Sequence, residues 1–411
     1  MRVLLINSVC GIGSTGKICT DLADELISRG HTVRIAYGRE TAPSQYAQCA
    51  IKIGTELDVR MHGCYARLFD ASGFGSKAAT QKLVQWIKHF DPDVIHLHNL
   101  HGYYLNVEIL FDYLRTSGKR IIWTLHDCWA FTGHCCYFDY AGCNKWTEQC
   151  CDCPQKKDYP ASLLLDRSRE NYEKKKRIFC GIPNLQLVTP SEWLAELVRQ
   201  SYLKGSSVLT LPNWVDTSAF KYTPSDIRNR LGIKTEHMIL GVASVWDRRK
   251  GLDVFIKLGA LLDKSYQIVL VGMSSEQKSK LLPNIIGITR TSDKHELAEL
   301  YSAADVFVNP TYEDNYPATN LEAIACGTPV VSFDSGGSGE GAHIYGVTTP
   351  TGNINALIDA IEDVVNKRIE MKKPDAEAMN KTAIKKYVQL IENGANDREE
   401  SAVYNEFAGS L

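Results

Sequence analysis

Short apolar runs alternate with amphipathic stretches along most of the chain, and the alternation occurs twice. The first set comprises Val3–Ser8, Thr32–Tyr37, Val94–His98, Arg120–Leu125, Leu185–Thr189 and Val208–Leu211. These runs are apolar on both alternating faces, the pattern of strands covered on both sides in a parallel sheet. Between them, helical periodicity predicts helices over Lys17–Ser28, Lys77–His89, Val107–Arg115, Leu163–Phe179 and Glu192–Gln200. The pattern loosens around Asn213–Leu231, with Pro212 and Pro224 among polar residues, and reads as a connection between domains. It then restarts with predicted strands at Ile239–Val245, Ile268–Val271, Ile285–Ile288, Val306–Val308 and Val330–Phe333. The accompanying helices are predicted at Leu252–Leu262, Glu276–Leu282, Lys294–Ala303, Thr319–Cys326, Ile354–Asn366 and Ala376–Glu392.

This alternation predicts an α/β fold of two doubly wound, Rossmann-like domains. The first spans residues 1–211 and carries a Cys-rich insert at 128–154; the second spans 212–390. A C-terminal helix at 391–411 is expected to pack back on the first domain, and the sequence Asn396-Asp397-Arg398-Glu399 resembles a capping box.

With 411 residues the chain is long enough for two cores. Its net charge of -2 offers no global attraction to nucleic acid or to an anionic membrane. No apolar run approaches the ~20 residues needed to span a bilayer. The apolar N-terminus is short and runs into Gly11 and Gly13, so it reads as a first strand and a cytoplasmic protein is expected. Lys174–Arg177 is a local basic run: a solvated helix face on the plain reading, a peripheral membrane contact on the functional one.

The candidate chemistry gathers at predicted strand ends. Pro310–Val331 joins a strand to a short helix and places Glu313, Asp314 and Glu322 around the amides of Ala318, Thr319 and Asn320. A helix N-terminus at the carboxyl edge of a parallel sheet is suited to a phosphorylated ligand. Arg249 and Lys250 sit in the first strand–helix turn of the same domain, where fixed cations stabilise a diphosphate. Gly336–Glu340 reads as a flexible turn at that edge, with Glu340 as a further carboxylate, and Thr289 and Arg290 follow another strand. In the first domain, Gly16 lies in a glycine-rich turn that lets a ligand approach the backbone. The run Gly11–Lys17 spells most of a P-loop, but Ile18 stands where a Mg²⁺-binding hydroxyl is required. His96, His98 and His101 follow the Val94–His98 strand, and His126 and Asp127 close the next; packed histidines are the plain alternative to site residues. Asp91-Pro92-Asp93 precedes its strand and reads as a turn, not a metal site. In the insert, Cys135, Cys143, Cys150 and Cys153 form a candidate tetrahedral zinc set, against unpaired thiols; the adjacent Cys136 and Cys151 leave the ligand set open.

These motifs together resemble glycosyltransferase family 4, the retaining nucleotide-sugar transferases of the GT-B fold, over most of the chain. The resemblance rests on the Gly-rich first turn, Ser191 opening a helix before Leu211–Asp216, Arg249-Lys250-Gly251 and, most specifically, Pro310–Val331. The segment from Trp123 to Pro154 is similar to a branch that builds bacterial surface polysaccharides such as colanic acid, capsule and exopolysaccharide. The resemblance implies two domains facing each other across a cleft, with the nucleotide sugar on the second and a glycan or lipid-linked acceptor on the first. By the same resemblance Glu322 binds ribose hydroxyls, and Thr319 and Asn320 bring amides to the diphosphate. Lys250 and Arg249 neutralise that diphosphate, and His126 reaches the sugar, with His98, His101 and Glu340 toward the acceptor. Asp314 stands where the family has a glutamate, with Glu313 beside it, so either can be the sugar-facing acid. Ser244 replaces the family's usual arginine, and Arg249 is the candidate substitute.

The implied reaction transfers a sugar from a UDP-, GDP- or ADP-sugar to a hydroxyl with retention, and requires no catalytic metal. Its rivals are a non-catalytic partner subunit with the same fold, an NAD-type oxidoreductase and a P-loop nucleotidase. The second lacks a clean G-x-G-x-x-G followed by an acid at ribose distance.

Overall fold

The computed structural model describes residues 1–394, which form two compact units: residues 1–212 with the described chain from Ala383 onward, and residues 213–382. The first is built on strands β1 (Arg2–Asn7), β2 (Thr32–Tyr37), β3 (Ala50–Lys52), β4 (Val94–Leu97), β5 (Arg120–Thr124), β6 (Leu185–Thr189) and β7 (Ser207–Thr210). They form one parallel sheet in the order β3-β2-β1-β4-β5-β6-β7. The second is built on β8 (His237–Val242), β9 (Tyr266–Val271), β10 (Ile285–Ile288), β11 (Val306–Asn309), β12 (Val330–Phe333) and β13 (Gly346–Thr349). Its sheet is also parallel, in the order β10-β9-β8-β11-β12-β13.

Central strands are buried along their whole length: β4, β11 and β12 have no partly exposed residue. In each sheet the strand order reverses once, between β1 and β4 and between β8 and β11. At such a point the two following loops diverge to opposite faces and leave a crevice for ligand.

Several sequence expectations need correction. The first helix starts at Gly13, not Lys17, because the glycine-rich turn is itself its first turn. Residues Leu163–Leu165 lie outside the helix that follows, which runs Ser168–Phe179. The helix Glu56–Phe69 and strands β3 and β13 had no sequence prediction. That helix begins with a capping box, Thr55 accepting from the Asp58 amide and Asp58 from the Thr55 amide, yet its apolar residues point outward and give no core-facing stripe. Gly336–Glu340 is no flexible turn: Ser338–Ala342 is helical, and the Ser338 hydroxyl shares a hydrogen bond of 3.0 Å with Ser332. The run Lys174–Arg177 is only in part a solvated face, with Lys176 and Arg177 exposed and Lys174 half-buried. Lys175 is 1% exposed, while Lys174 and Arg177 both pair with Glu108.

The last described helix, Ala376–Asn393, begins in the second unit and ends in the first, where Tyr387, Val388 and Ile391 are buried. Arg120 donates to the Ile391 carbonyl there, and His31 meets Glu392 at 2.9 Å. The predicted capping box at Asn396–Glu399, and most of the helix expected at 391–411, lie outside the described residues.

Candidate active site

In the second unit the loops after β8 and β11 meet at the strand-order reversal. The Tyr312 amide donates to the Arg249 carbonyl at 2.8 Å, and the Thr311 hydroxyl donates to the same oxygen at 3.3 Å. Gly251, with φ of 77°, lets the loops approach: a Cβ there would stand 2.2 Å from the Pro310 carbonyl oxygen. Arg249 donates from Nη1 to the Glu313 carbonyl at 3.0 Å, and the Lys250 ammonium is ion-paired with Asp314 Oδ2. The two predicted cations and the predicted acid loop are thus one bonded assembly.

Asp314 and Glu313 have different surroundings. Glu313 is 2% exposed, and its carbonyl also accepts from the Thr311 hydroxyl at 3.1 Å. Asp314 Oδ1 accepts the Asn315 amide at 2.9 Å. Burial pushes the Asp314 carboxyl up, but the Lys250 charge and hydrogen bond, helped by Arg249, outweigh it and hold the group below the usual carboxylate range. Behind the loop, Gly336 (φ 57°) would place a Cβ 2.2 Å from the Asp314 carbonyl, and the Gly337 amide donates to that carbonyl at 2.9 Å. The turn after β12 therefore supports the acid loop from below.

The helix Ala318–Ala325 follows Pro317, which has no side chain able to cap it, and no acidic residue lies in its first turn. The Asn320 amide, expected to meet the diphosphate, donates instead to the Pro317 carbonyl at 3.2 Å, and the dipole with the amides of Ala318 and Thr319 is the part suited to an anion. Asn320 is fully buried: its side-chain carbonyl accepts from Asn309 at 2.8 Å and its amide donates to the Ser338 carbonyl at 3.2 Å. Its side chain holds the helix against the sheet, leaving Ala318 and Thr319, both partly exposed, at the open end. Glu322, one turn further, accepts from the Tyr301 hydroxyl at 2.9 Å. Burial raises its carboxyl to about 7 against the lowering effect of Tyr301. Glu340 lies in the short helix after β12, while Thr289 and Arg290 are exposed beyond β10, an edge strand.

In the first unit the loops after β1 and β4 meet likewise. The Asn99 amide donates to Asn7 Oδ1 at 3.2 Å, and the Gly11 amide donates to the Gly16 carbonyl at 3.1 Å. A Cβ on Gly16 would come within 3.1 Å of the Gly11 nitrogen and of Val9, so the turn tolerates little there. Lys17, the would-be P-loop lysine, pairs with Asp21 one turn along its own helix.

The histidines form a stack. His96 and His98 rings lie 4.1 Å apart, and His98 and His126 rings 5.5 Å apart, with His98 Nδ1 3.3 Å from His126 Nε2. Burial lowers His126 to about 4 and His96 to about 3, so these rings are neutral near pH 7. His96 bonds Thr124 at 2.9 Å and is fully buried, which makes it a packed residue. His101 Nε2 meets Asp127 Oδ2 at 2.7 Å, and Cys136 Sγ approaches the same nitrogen at 4.0 Å. Sequence reasoning passed over Tyr301 and named Cys136 only as an alternative in the zinc set; only tertiary proximity shows their partners, Glu322 and His101.

Two family descriptions match the chain in succession: "Glycosyltransferase Family 4" over residues 15–219 and "Glycosyl transferases group 1" over 236–367. The chain belongs to the family 4 glycosyltransferases and has the GT-B fold. It is 24% identical over 404 residues, 95% of each chain, to the putative colanic acid biosynthesis glycosyl transferase WcaC of Escherichia coli (strain K12). Its fold is similar to the sucrose-phosphate synthase of Thermosynechococcus elongatus (16% identity, all of both chains, TM-score 0.62). It is similar also to Anabaena Alr3699/HepE, solved in complex with UDP (16% identity, 95% of this chain and 100% of that one, TM-score 0.60).

Proposed function

We propose that this glycosyltransferase moves a sugar from a nucleotide-diphosphate donor to a hydroxyl of a glycan or lipid-linked glycan, with retention at the anomeric carbon, in bacterial surface-polysaccharide synthesis. The observation that carries the reading is the joined pair of loops at the β8/β11 reversal, with Arg249, Lys250, an ionised Asp314 and an uncapped helix N-terminus together. The diphosphate takes the cations and the amides of Ala318 and Thr319; Glu322 takes the ribose hydroxyls. The departing diphosphate gains negative charge as the sugar becomes oxocarbenium-like, and preorganised cations stabilise that change without rearranging.

Asp314 is assigned to the donor sugar, since its carboxylate is kept ionised and tied to Lys250. When the diphosphate arrives it competes for the Lys250 ammonium, and the Asp314 carboxylate is released toward the sugar hydroxyls. His126, a neutral imidazole, is the first unit's candidate for a sugar hydrogen bond that adds no charge. The leaving phosphate oxygen takes the acceptor proton, so no protein base and no metal is assigned to the step.

The polysaccharide setting is supported by the end-to-end similarity to the colanic acid relative, and a nucleotide donor by the UDP complex of the HepE neighbour. No described helix is long and apolar enough to cross a membrane. For peripheral contact, the helix Glu56–Phe69 is a better candidate than Lys174–Arg177. It exposes Leu57, Met61, Tyr65, Leu68 and Phe69, and the exposed Leu163–Leu165 segment is hydrogen-bonded along it through the Arg67 and Leu68 carbonyls. Monomers rarely leave so many large apolar side chains together without use.

The test is incubation with UDP-, GDP- and ADP-sugars followed by NMR of the product. Transfer with an unchanged anomeric configuration is expected. An inverted product, or binding of no nucleotide sugar by the intact chain, would overturn the proposal; the latter outcome favours a non-catalytic partner subunit.

A further inference from the structure

The insert at 128–154 has no part in the donor chemistry, yet it holds seven of the thirteen cysteines. None of the thirteen is in a disulfide. Apart from two single 3-10 turns, Trp129–Phe131 and Lys145–Thr147, the insert has no regular structure to hold it. Its aromatic residues nevertheless enter the core of the first unit, with Phe138 stacked on Trp146 at 4.8 Å.

The fold sorts the cysteines. Cys135, Cys143, Cys150, Cys151 and Cys153 line one small pocket beside Trp146. Cys136 is turned away from it, toward His101. Within the pocket the thiols interact: Cys135 hydrogen-bonds Cys153 and feels Cys150, while Cys150 feels both Cys143 and Cys153. The Cys151 carbonyl, like that of Asp152, accepts from Lys145.

Two buried basic groups face the same thiols. Lys175 is fully enclosed, donating to the carbonyls of Trp129 at 2.8 Å and Thr132 at 3.1 Å, with its ammonium 3.7 Å from the Trp129 ring. Its charge acts first on Cys136 and Asp70, then on Cys150 and Cys135. His134 Nδ1 is bonded to Asp70 at 2.5 Å, while its Nε2 is buried and has no hydrogen-bond partner. Its charge acts on Cys153. A buried ammonium beside neutral thiols is an unfavourable arrangement; beside thiolates it is a counterion.

We propose that Cys135, Cys143, Cys150 and Cys153 bind one structural zinc ion as thiolates, with Lys175 and His134 offsetting the negative charge of the tetrathiolate site. The spacing C-x₇-C-x₆-C-x₂-C ends in the short chelate that a tetrahedral site requires. On binding, each thiol releases a proton to solvent, four Zn–S bonds form, and no oxidation state changes. His134, whose buried Nε2 has no hydrogen-bond partner, can then donate to a thiolate, the contact that orients the ligands of such sites. Among the described residues, His101, Asp127 and Cys136 are the group whose three ligand atoms lie within 4.8 Å of one another. There Asp127 and Cys136 compete for one nitrogen and Tyr159 holds the other at 3.2 Å, so that cluster is already satisfied by hydrogen bonds. No three of the pocket thiols meet that limit, and the ion draws them in.

The experiment is metal analysis of the full-length protein, purified under reducing conditions without chelator and, in parallel, incubated with ZnCl₂ and desalted. One zinc per chain is expected, released by a mercurial thiol reagent. Cys143→Ser and Cys153→Ser should lose stoichiometric zinc, whereas Cys151→Ser and Cys136→Ser should keep it. Should the first two fail to fold, Co²⁺ titration of the unaltered protein decides: an intense thiolate-to-metal band of a four-sulfur site supports the proposal, and its absence overturns it. Substoichiometric zinc in both preparations, a Cys135–Cys153 disulfide in non-reducing peptide maps, or full zinc retention by Cys143→Ser would also overturn it. Because the readout is metal content, it does not depend on the donor assignment.

Discussion

Lys250 stands at the point where binding and chemistry separate most clearly. Its ammonium neutralises Asp314 before any donor arrives, and the proposed reaction asks it to neutralise a diphosphate instead. Lys250→Ala should lower kcat by about 10²-fold or more, the usual effect of removing a preorganised charge partner. Thermal stability should change little, because the buried Asp314 can take up a proton once its partner is gone. Unchanged turnover would remove Lys250 from the phosphate site. Glu322 makes a pH prediction. Its folded-state pKa is raised to about 7, so folding favours the protonated form. That contribution is fully present below the ordinary carboxylate range and is lost as pH rises through about 7. Ribose binding requires the carboxylate, so donor affinity should rise over the same interval. Calorimetric titration across pH should show this slope in the parent protein and none in Glu322→Gln. Both residues were legible in the sequence, since charge type and motif spacing carry them. Their electrostatic states were not, because Tyr301 and Asp314 come from positions 21 and 64 residues away.

At the scale of elements, Gly251 joins two loops. With φ of 77° and a Cβ position 2.2 Å from the Pro310 carbonyl, Gly251→Ala should destabilise the second unit by about 1–3 kcal/mol. It should also raise the donor KM by displacing Arg249 and Lys250; a denaturant midpoint and initial rates check the two effects. The helix Ser168–Phe179 holds the insert through Lys175. Lys175→Ala leaves the Trp129 and Thr132 carbonyls buried without their donor, at a cost of roughly 1–3 kcal/mol each in the extreme. A lowered urea midpoint is expected, where a solvated lysine would give no change. The helix Glu56–Phe69 bears on membrane contact: Leu57→Asp with Met61→Asp should abolish co-sedimentation with anionic vesicles while leaving the melting temperature unaltered, since both side chains are exposed. This helix escaped sequence prediction because its apolar residues face outward and its buried ones are few, His62 and Ala66. Periodicity reports a core only where the core is what the apolar side chains cover.

For the whole molecule, a donor that binds only the folded chain must stabilise it: at a hundred times Kd the gain is about 2.7 kcal/mol. A screen of UDP-, GDP- and ADP-sugars should therefore show one base raising the melting temperature well above the others. A uniform null would contradict the donor assignment whatever happens to the metal. The two-unit organisation also limits what one substitution can do. Gly251→Ala should leave the cooperative melting of residues 1–212 largely in place, as the altered contact lies within the second unit's own core.

The sequence by itself determined the class of fold and the position of the chemistry. Doubly buried strands leave unbroken apolar runs, and the ligand-facing turns of a parallel sheet recur at the carboxyl ends of those runs, so both are written locally. It determined also that Pro310–Val331 and Arg249–Lys250 belong to one sheet edge. Only the tertiary structure decided that Asp314 is paired with Lys250, which histidines are packed and which thiols share a pocket. It likewise decided that one lysine of Lys174–Arg177 is buried. These depend on side chains brought together from distant segments, where burial and opposing charge set the state of each group, and no local pattern encodes either.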